Sequence, residues 1–252
     1  MNENRPRIGI QVRTQGPQST RDMIIDCAAA AEQNGFEELY VVDHIAIPPD
    51  DLEGSDGRYL DPLSVLSFLA GLTEQIELCT GVLVMPYRPI LPTAKVIATA
   101  QELSGNRLKL GVGVGWMESE FKALGIDRAR RGRIFDEGLE FINRAFASDQ
   151  ISHNDQEFMF LPRPVKPPIL IGGTPPYAFD RAVKFGDGWI PMAGKNLEKF
   201  RNPISELQER FANAGRGKPQ VAIFTRLAFE EPAIMAGQIQ EMTDIGVSSI
   251  IH

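Results

Sequence analysis

Residues 76–115 read IELCTGVLVMPYRPILPTAKVIATAQELSGNRLKLGVGVG. Two runs of apolar and β-branched residues, 76–84 and 107–115, enclose a longer stretch that closes at Leu103-Ser104-Gly105, the small and glycine residues that end helices. The segment is therefore a strand, a helix and a second strand. Both strands are nearly continuous in apolar character, with little of the in-out alternation of an open antiparallel sheet, so both faces are buried and the sheet is parallel.

Outward from this unit the same pattern runs to both ends of the sequence. Further strands are expected at 7–12 (RIGIQV), 38–44 (ELYVVDH), 168–173 (PILIGG), 187–193 (DGWIPMA), 220–226 (QVAIFTR) and 247–252 (VSSIIH), eight in all. Ser19 and Asp22 open a helix that closes at Asn34-Gly35. From Arg131 to Ala147, Phe135, Leu139, Ile142 and Phe146 form one helical stripe. Eight such units close into a (β/α)8 TIM barrel, drawn as a single domain over 1–252. A doubly wound open sheet is the alternative that periodicity leaves open. The last strand ends the sequence without a covering helix, so either a shortened barrel or cover from a partner chain, in a homodimer, is expected there.

Composition narrows the function. The 252 residues are 43% hydrophobic and 23% charged, enough for a sizeable core. The formal net charge of −7 and the scattered basic residues argue against nucleic acid. Arg128, Arg130, Arg131 and Arg133 cluster at one helix start without interleaved aromatics and read as a solvated face. No apolar run is long enough to span a bilayer, and the N-terminus lacks a signal-peptide core. Cys27 and Cys79 are isolated, as expected of buried residues in a reducing compartment. A soluble, cytoplasmic protein without a membrane partner is predicted.

In a barrel of this kind the chemistry stands at the C-terminal ends of the strands. Those ends carry Gln11 to Arg13, Asp43-His44, Met85 to Arg88, Trp116, Gly172-Gly173-Thr174, Met192, Arg226 and His252. The lining is apolar and aromatic with sparse polar groups, which suits a flat conjugated cofactor and a small-molecule substrate. Gly172-Gly173-Thr174 leaves a strand for a helix N-terminus and offers backbone N–H groups to a phosphate; the plain reading is a tight turn. Gly111, Gly113 and Gly115 miss the dinucleotide spacing, and Glu118 and Glu120 after them would repel a pyrophosphate. Either a ring lies against these glycines or they ease barrel packing. Asp43-His44 is the acid-histidine pair at a strand end, with proton transfer or a structural role open to the imidazole. The three histidines, His44, His153 and His252, form no metal-ligand spacing, so no metal is expected, and a metal-dependent barrel hydrolase becomes the rival class. No G-x-S-x-G elbow is present.

Three passages, AAAAEQNGFEELYVVDHIAIP (28–48), residues 59–126 from YLDPLSVLSFLAGL to FKALGI, and PRPVKPPILIGGTPPYAFDRAVKFGDGWIP (162–191), together resemble the bacterial luciferase-like superfamily, in particular its coenzyme F420-dependent oxidoreductases. The resemblance implies a deazaflavin (coenzyme F420) or FMN ring across the barrel mouth and its phosphate at the rim. It implies Asp43 and His44 as the catalytic pair and Gly81, Val82, Tyr87, Trp116, Gly172, Gly173 and Thr174 as cofactor-binding residues. At Gly81-Val82 it implies a bulge in the third strand with a cis peptide bond. Hydride transfer between coenzyme F420 and a small organic substrate is the expected function. An FMN-dependent monooxygenase and a flavin-binding barrel without catalysis are the alternatives, and Ile47 to Leu60 is the lid candidate.

Overall fold

The computed structural model describes residues 5–52, 54–191 and 197–252. Eight strands close into a parallel barrel. In chain order these are β1 (Arg7–Gln11), β2 (Glu38–Val41), β3 (Glu77–Val84) and β4 (Leu108–Gly113), followed, after a hairpin of β5 (Gln150–His153) and β6 (Gln156–Met159), by β7 (Ile169–Gly172), β8 (Gly188–Ile190), β9 (Gln220–Phe224) and β10 (Ser249–Ile251). All eight lie within the segments expected from the sequence. Closure is made by β10 against β1, with Arg7 opposite Ser249 and Gly9 opposite Ile251, and this pairing excludes the open sheet. Met192, expected after the sixth barrel strand, lies outside the described residues.

The helices α1 (Arg21–Gln33), α2 (Pro62–Ala70), α3 (Ile90–Leu103), α5 (Arg131–Ala145), α6 (Tyr177–Phe185), α7 (Glu198–Asn213) and α8 (Pro232–Asp244) wrap the strands, and the short α4 (Glu118–Ala123) follows β4. Alternation along each strand divides two cores. Leu39, Val41, Leu78, Leu110, Val112, Ile169 and Ile171 belong to the core between strands and helices, one buried cluster that also holds Phe135, Leu139 and Ile142 of α5. Tyr40, Cys79, Leu170, Ile190, Ala222 and Ile251 fill the barrel itself.

A polar layer closes the barrel interior at the N-terminal ends of the strands. The Lys109 ammonium lies against Glu38 and, at 2.9 Å, Glu77. Ser249 Oγ and Tyr40 Oη donate to the two Glu38 oxygens at 2.9 and 3.0 Å. Burial opposes the Lys109 charge, yet the surrounding carboxylates hold its pKa above that of an ordinary lysine.

Two local readings change. Thr20, not Ser19 or Asp22, caps α1 by accepting from Met23 N–H at 3.3 Å, while Ser19 turns inward to donate to the Gly16 carbonyl at 2.7 Å. Around His153, where the sequence reading expected no strand, residues 150–159 form the antiparallel hairpin of β5 and β6. Asn154 and Asp155 turn it with φ of 49° and 60°, the left-handed pair that two-residue hairpins need.

The β4 glycines serve packing. A Cβ on Gly111 would sit 2.3 Å from the Thr80 carbonyl oxygen, and one on Gly113 would sit 2.8 Å from Val82 Cγ2. Both positions accommodate the irregular middle of β3, whose register against β4 shifts between Thr80 and Leu83. The Gly81–Val82 peptide bond there is cis.

Candidate active site

The strand carrying Asp43 and His44 ends at Val41, so the two side chains follow a loop and part company. Expected as a catalytic partner of His44, Asp43 is instead 4% exposed with both oxygens engaged. Arg88 binds it in a fork, Nη1 to Oδ2 at 2.7 Å and Nη2 to Oδ1 at 2.8 Å, and the Val84 N–H adds a third bond at 2.8 Å. Burial pushes the carboxyl up more than Arg88 and the Val84 N–H pull it back. Arg88 also reaches Asp61 Oδ2 at 2.8 Å, and the other Asp61 oxygen caps α2 through the Ser64 N–H at 2.9 Å. Through these bonds Asp43 ties the chain after β2 to the end of β3 and the residues that follow it.

His44 turns to a residue that the sequence reading passed over. Its Nδ1 lies 2.9 Å from Glu120 Oε2 on α4. The Glu120 carboxylate is fully buried and takes three more bonds, from Ile45 N–H at 2.5 Å, Ala46 N–H at 3.0 Å and the Tyr87 hydroxyl at 2.8 Å. Burial alone would raise its pKa, but these donors, His44 first among them, lower it to about 2. Such a depressed carboxyl contributes stability above its unfolded value near 4.5, and the contribution is lost as pH falls from there toward 2. The difference in melting temperature between the wild type and Glu120→Gln is therefore expected to shrink on acidification through that window. A difference constant from pH 6 to pH 2.5 would mean the carboxylate is not held in this way.

Tyr87, expected against a cofactor, is buried with its ring edge-on to Phe121 at 5.0 Å and its hydroxyl spent on Glu120. It backs His44. On the open side the imidazole meets Tyr59 at 4.9 Å and Trp116 at 6.2 Å between ring centroids. The indole of Trp116 is 61% exposed, and Ile45 beside His44 is exposed as well. His44 Nε2 has no hydrogen-bond partner among the described residues.

Apart from Glu53, which lies outside the described residues, the lid candidate is fastened at both ends. Ile45 and Ala46, just ahead of it, bond Glu120 as above. Further on, Gly16 N–H donates to the Arg58 carbonyl at 2.9 Å, Leu60 N–H donates to the Thr14 carbonyl at 3.0 Å, and the Arg58 guanidinium binds Ser19. At the β1 end of this seam, Thr14 Oγ1 and Gln15 Oε1 are buried polar atoms without a hydrogen-bond partner among the described residues.

Gly172, Gly173 and Thr174 leave β7 at the same end of the barrel. Gly173 takes φ +112°, and its carbonyl accepts from Trp189 Nε1 at 2.8 Å. The Thr174 carbonyl accepts from Ala178 N–H at 3.1 Å in the first turn of α6. Gly81 lies lower, inside the barrel, where a Cβ would meet Phe224 Cζ at 2.6 Å; Val82 projects between Gly113 and Gly172. Asp43, His44, Trp116 and Gly173 thus share one barrel end, as the strand directions require. Among the described residues no group of three or more His, Cys, Asp and Glu could hold a metal ion, and no described helix is long and apolar enough to cross a membrane.

Comparison with known proteins bears on this geometry. The family model described as luciferase-like monooxygenase matches residues 7–234. An uncharacterized protein of Mycobacterium tuberculosis is 32% identical over 227 residues, 80% of this chain and 79% of that one. Two relatives with assigned reactions are each 28% identical. One is an F420-dependent hydroxymycolic acid dehydrogenase of M. tuberculosis, matched over 73% of this chain and 53% of its own length. The other is an FMNH2-dependent dimethylsulfone monooxygenase of Pseudomonas putida, matched over 75% and 53%. The solved coenzyme F420 dependent tetrahydromethanopterin reductase of Methanopyrus kandleri superposes with a TM-score of 0.74 at 17% identity, covering 98% of this chain and 92% of that one, a likeness of fold.

Proposed function

This chain belongs to the luciferase-like monooxygenase family, and on that footing we propose that it is an oxidoreductase binding coenzyme F420 at the barrel mouth and exchanging hydride between it and a small organic substrate. The observation that carries the reading is His44. One ring nitrogen is anchored to a buried carboxylate and the other has no hydrogen-bond partner among the described residues, at the strand end where barrels do chemistry.

The residues present fit the cofactor. Trp116 and Ile45 offer exposed apolar surface to a ring face. The unpartnered acceptors Thr14 Oγ1 and Gln15 Oε1 fit the N–H edge of a flavin-type ring. Gly172, Gly173 and Thr174 would receive the phosphate. When bound, the cofactor supplies the two-electron chemistry. The chain's part is to orient the ligands, exclude water and hold or move a proton at His44 Nε2. Asp43, Arg88 and Asp61 keep the strand ends in place beneath.

A second reading is supported by the equal identity to the FMNH2-dependent relative. Deazaflavin has carbon in place of the ring nitrogen that makes reduced flavins reactive toward oxygen, so FMN would open the monooxygenase reaction to this chain. An absorbance titration of the purified protein with coenzyme F420, FMN and riboflavin decides between them. Coenzyme F420 is expected to bind at least about ten-fold more tightly than FMN, a difference of ~1.4 kcal/mol. The reverse order transfers the function to the monooxygenase reading, and binding of neither sinks both. Thr174→Ala is expected to weaken the phosphate-bearing ligands by roughly ten-fold and leave riboflavin unchanged. Gly173→Val is less informative, because φ +112° strains any side chain there whether or not phosphate binds.

A further inference from the structure

His44 and Glu120 lie 76 positions apart in sequence, yet their contact constrains where the imidazole proton sits. A carboxylate accepts hydrogen bonds and donates none. Glu120 Oε1 is occupied by the Ile45 and Ala46 N–H groups. Glu120 Oε2 receives the Tyr87 hydroxyl at 2.8 Å and faces His44 Nδ1 at 2.9 Å. With an acceptor opposite it at that distance, Nδ1 must carry hydrogen. A neutral imidazole protonated at Nδ1 is bare at Nε2, the nitrogen with no partner among the described residues. We propose that Glu120 is a positioning residue that fixes His44 in the Nδ1–H tautomer, so that Nε2 is the nitrogen offered to a bound ligand.

The surroundings leave little freedom to escape this arrangement. Two backbone N–H groups hold the carboxylate from the loop after β2, and Tyr87 holds it from the short 3-10 helix after β3. Rotation of Glu120 to release His44 would strand three other donors in a buried place, each at the cost of an unsatisfied polar group. The inference deepens the reading of His44 as the proton-transfer group and rests on it for its functional meaning, although the tautomer can be tested without any cofactor.

The test is a two-bond 15N–1H correlation spectrum of the cofactor-free protein with 15N-histidine, recorded at a pH high enough to keep the imidazoles neutral. His44 is assigned from the signals lost in His44→Asn. In the wild type, the pyrrole-type nitrogen signal of His44 is expected at Nδ1 and the pyridine-type signal at Nε2. Glu120→Gln preserves shape but replaces one oxygen with an NH2 group. The Gln oxygen is needed by the Ile45 and Ala46 N–H groups, so the amide faces His44, and the two signals are expected to exchange between the nitrogens. Tyr87→Phe removes a competing donor and is expected to leave the tautomer unchanged. A wild-type His44 protonated at Nε2, or a tautomer that Glu120→Gln does not move, overturns the proposal. The wild-type spectrum decides even where Glu120→Gln fails to fold. Failure of both cofactors to bind, with His44 in the expected tautomer, would instead reject the proposed function and leave the positioning role standing.

Discussion

His44→Asn is expected to lower kcat/KM by 10²- to 10⁴-fold, ~3–5 kcal/mol of transition-state stabilisation, while cofactor affinity changes by less than about ten-fold. Asparagine keeps a short N–H donor for Glu120, so the buried carboxylate is not abandoned, but it offers no nitrogen that can exchange a proton at neutral pH. The variant therefore separates proton transfer from the support of the loop. Turnover of an accepted substrate within ten-fold of the wild type would end the proton-transfer role. An equal collapse of cofactor binding would show that the imidazole serves mainly as part of the ligand's seat.

Lys109→Met is expected to destabilise the barrel by ~3–5 kcal/mol, the loss typical when one member of a buried ion pair is removed. Lys109 is 4% exposed, and its ammonium is the charge that opposes Glu38 inside the barrel. Methionine restores the volume but leaves a buried carboxylate facing two hydroxyls, Tyr40 and Ser249. Adding Glu38→Gln to Lys109→Met should recover most of the loss, because the buried carboxylate goes with its partner and Glu77, the other carboxylate against Lys109, keeps its ion pair with Arg7. Denaturant midpoints of the three variants test this. A single variant within about 1 kcal/mol of the wild type would mean that the carboxylate finds water or a proton at little cost.

What the sequence revealed and what it hid divide by the range of the interactions. The eight strands are runs of apolar and β-branched residues, and each run carries its own signal within a few positions. The stripe on α5 is local in the same way. Glu118 and Glu120 were read as two acids opening a helix, and both stand in its first turn, but only Glu118 is exposed while Glu120 is buried. Nothing within a turn of Glu120 distinguishes it, since its donors come from residues 44–46 and 87. Arg88, named from the sequence only as one of the residues at the end of the third strand, is committed to Asp43 and Asp61 by the same kind of distant pairing. The β5–β6 hairpin escaped for a different reason. Its alternation rests on Ile151 and Phe158 amid polar neighbours, too few positions to stand out, although Asn154-Asp155 is a turn signal.

The bridge from Asp43 through Arg88 to Asp61 also bears on how relatives of this chain could diverge. Asp43 and Asp61 stand at the two ends of the loop that overhangs His44, and a single guanidinium grips both. The stems of that loop are thus held by a residue outside it, in addition to the bonds made by Ile45, Ala46, Arg58 and Leu60, and the cost of holding its ends together grows only slowly with its length. Such a segment is an exchangeable cassette: its middle can change in length and sequence while Arg88 keeps its two ends at their spacing.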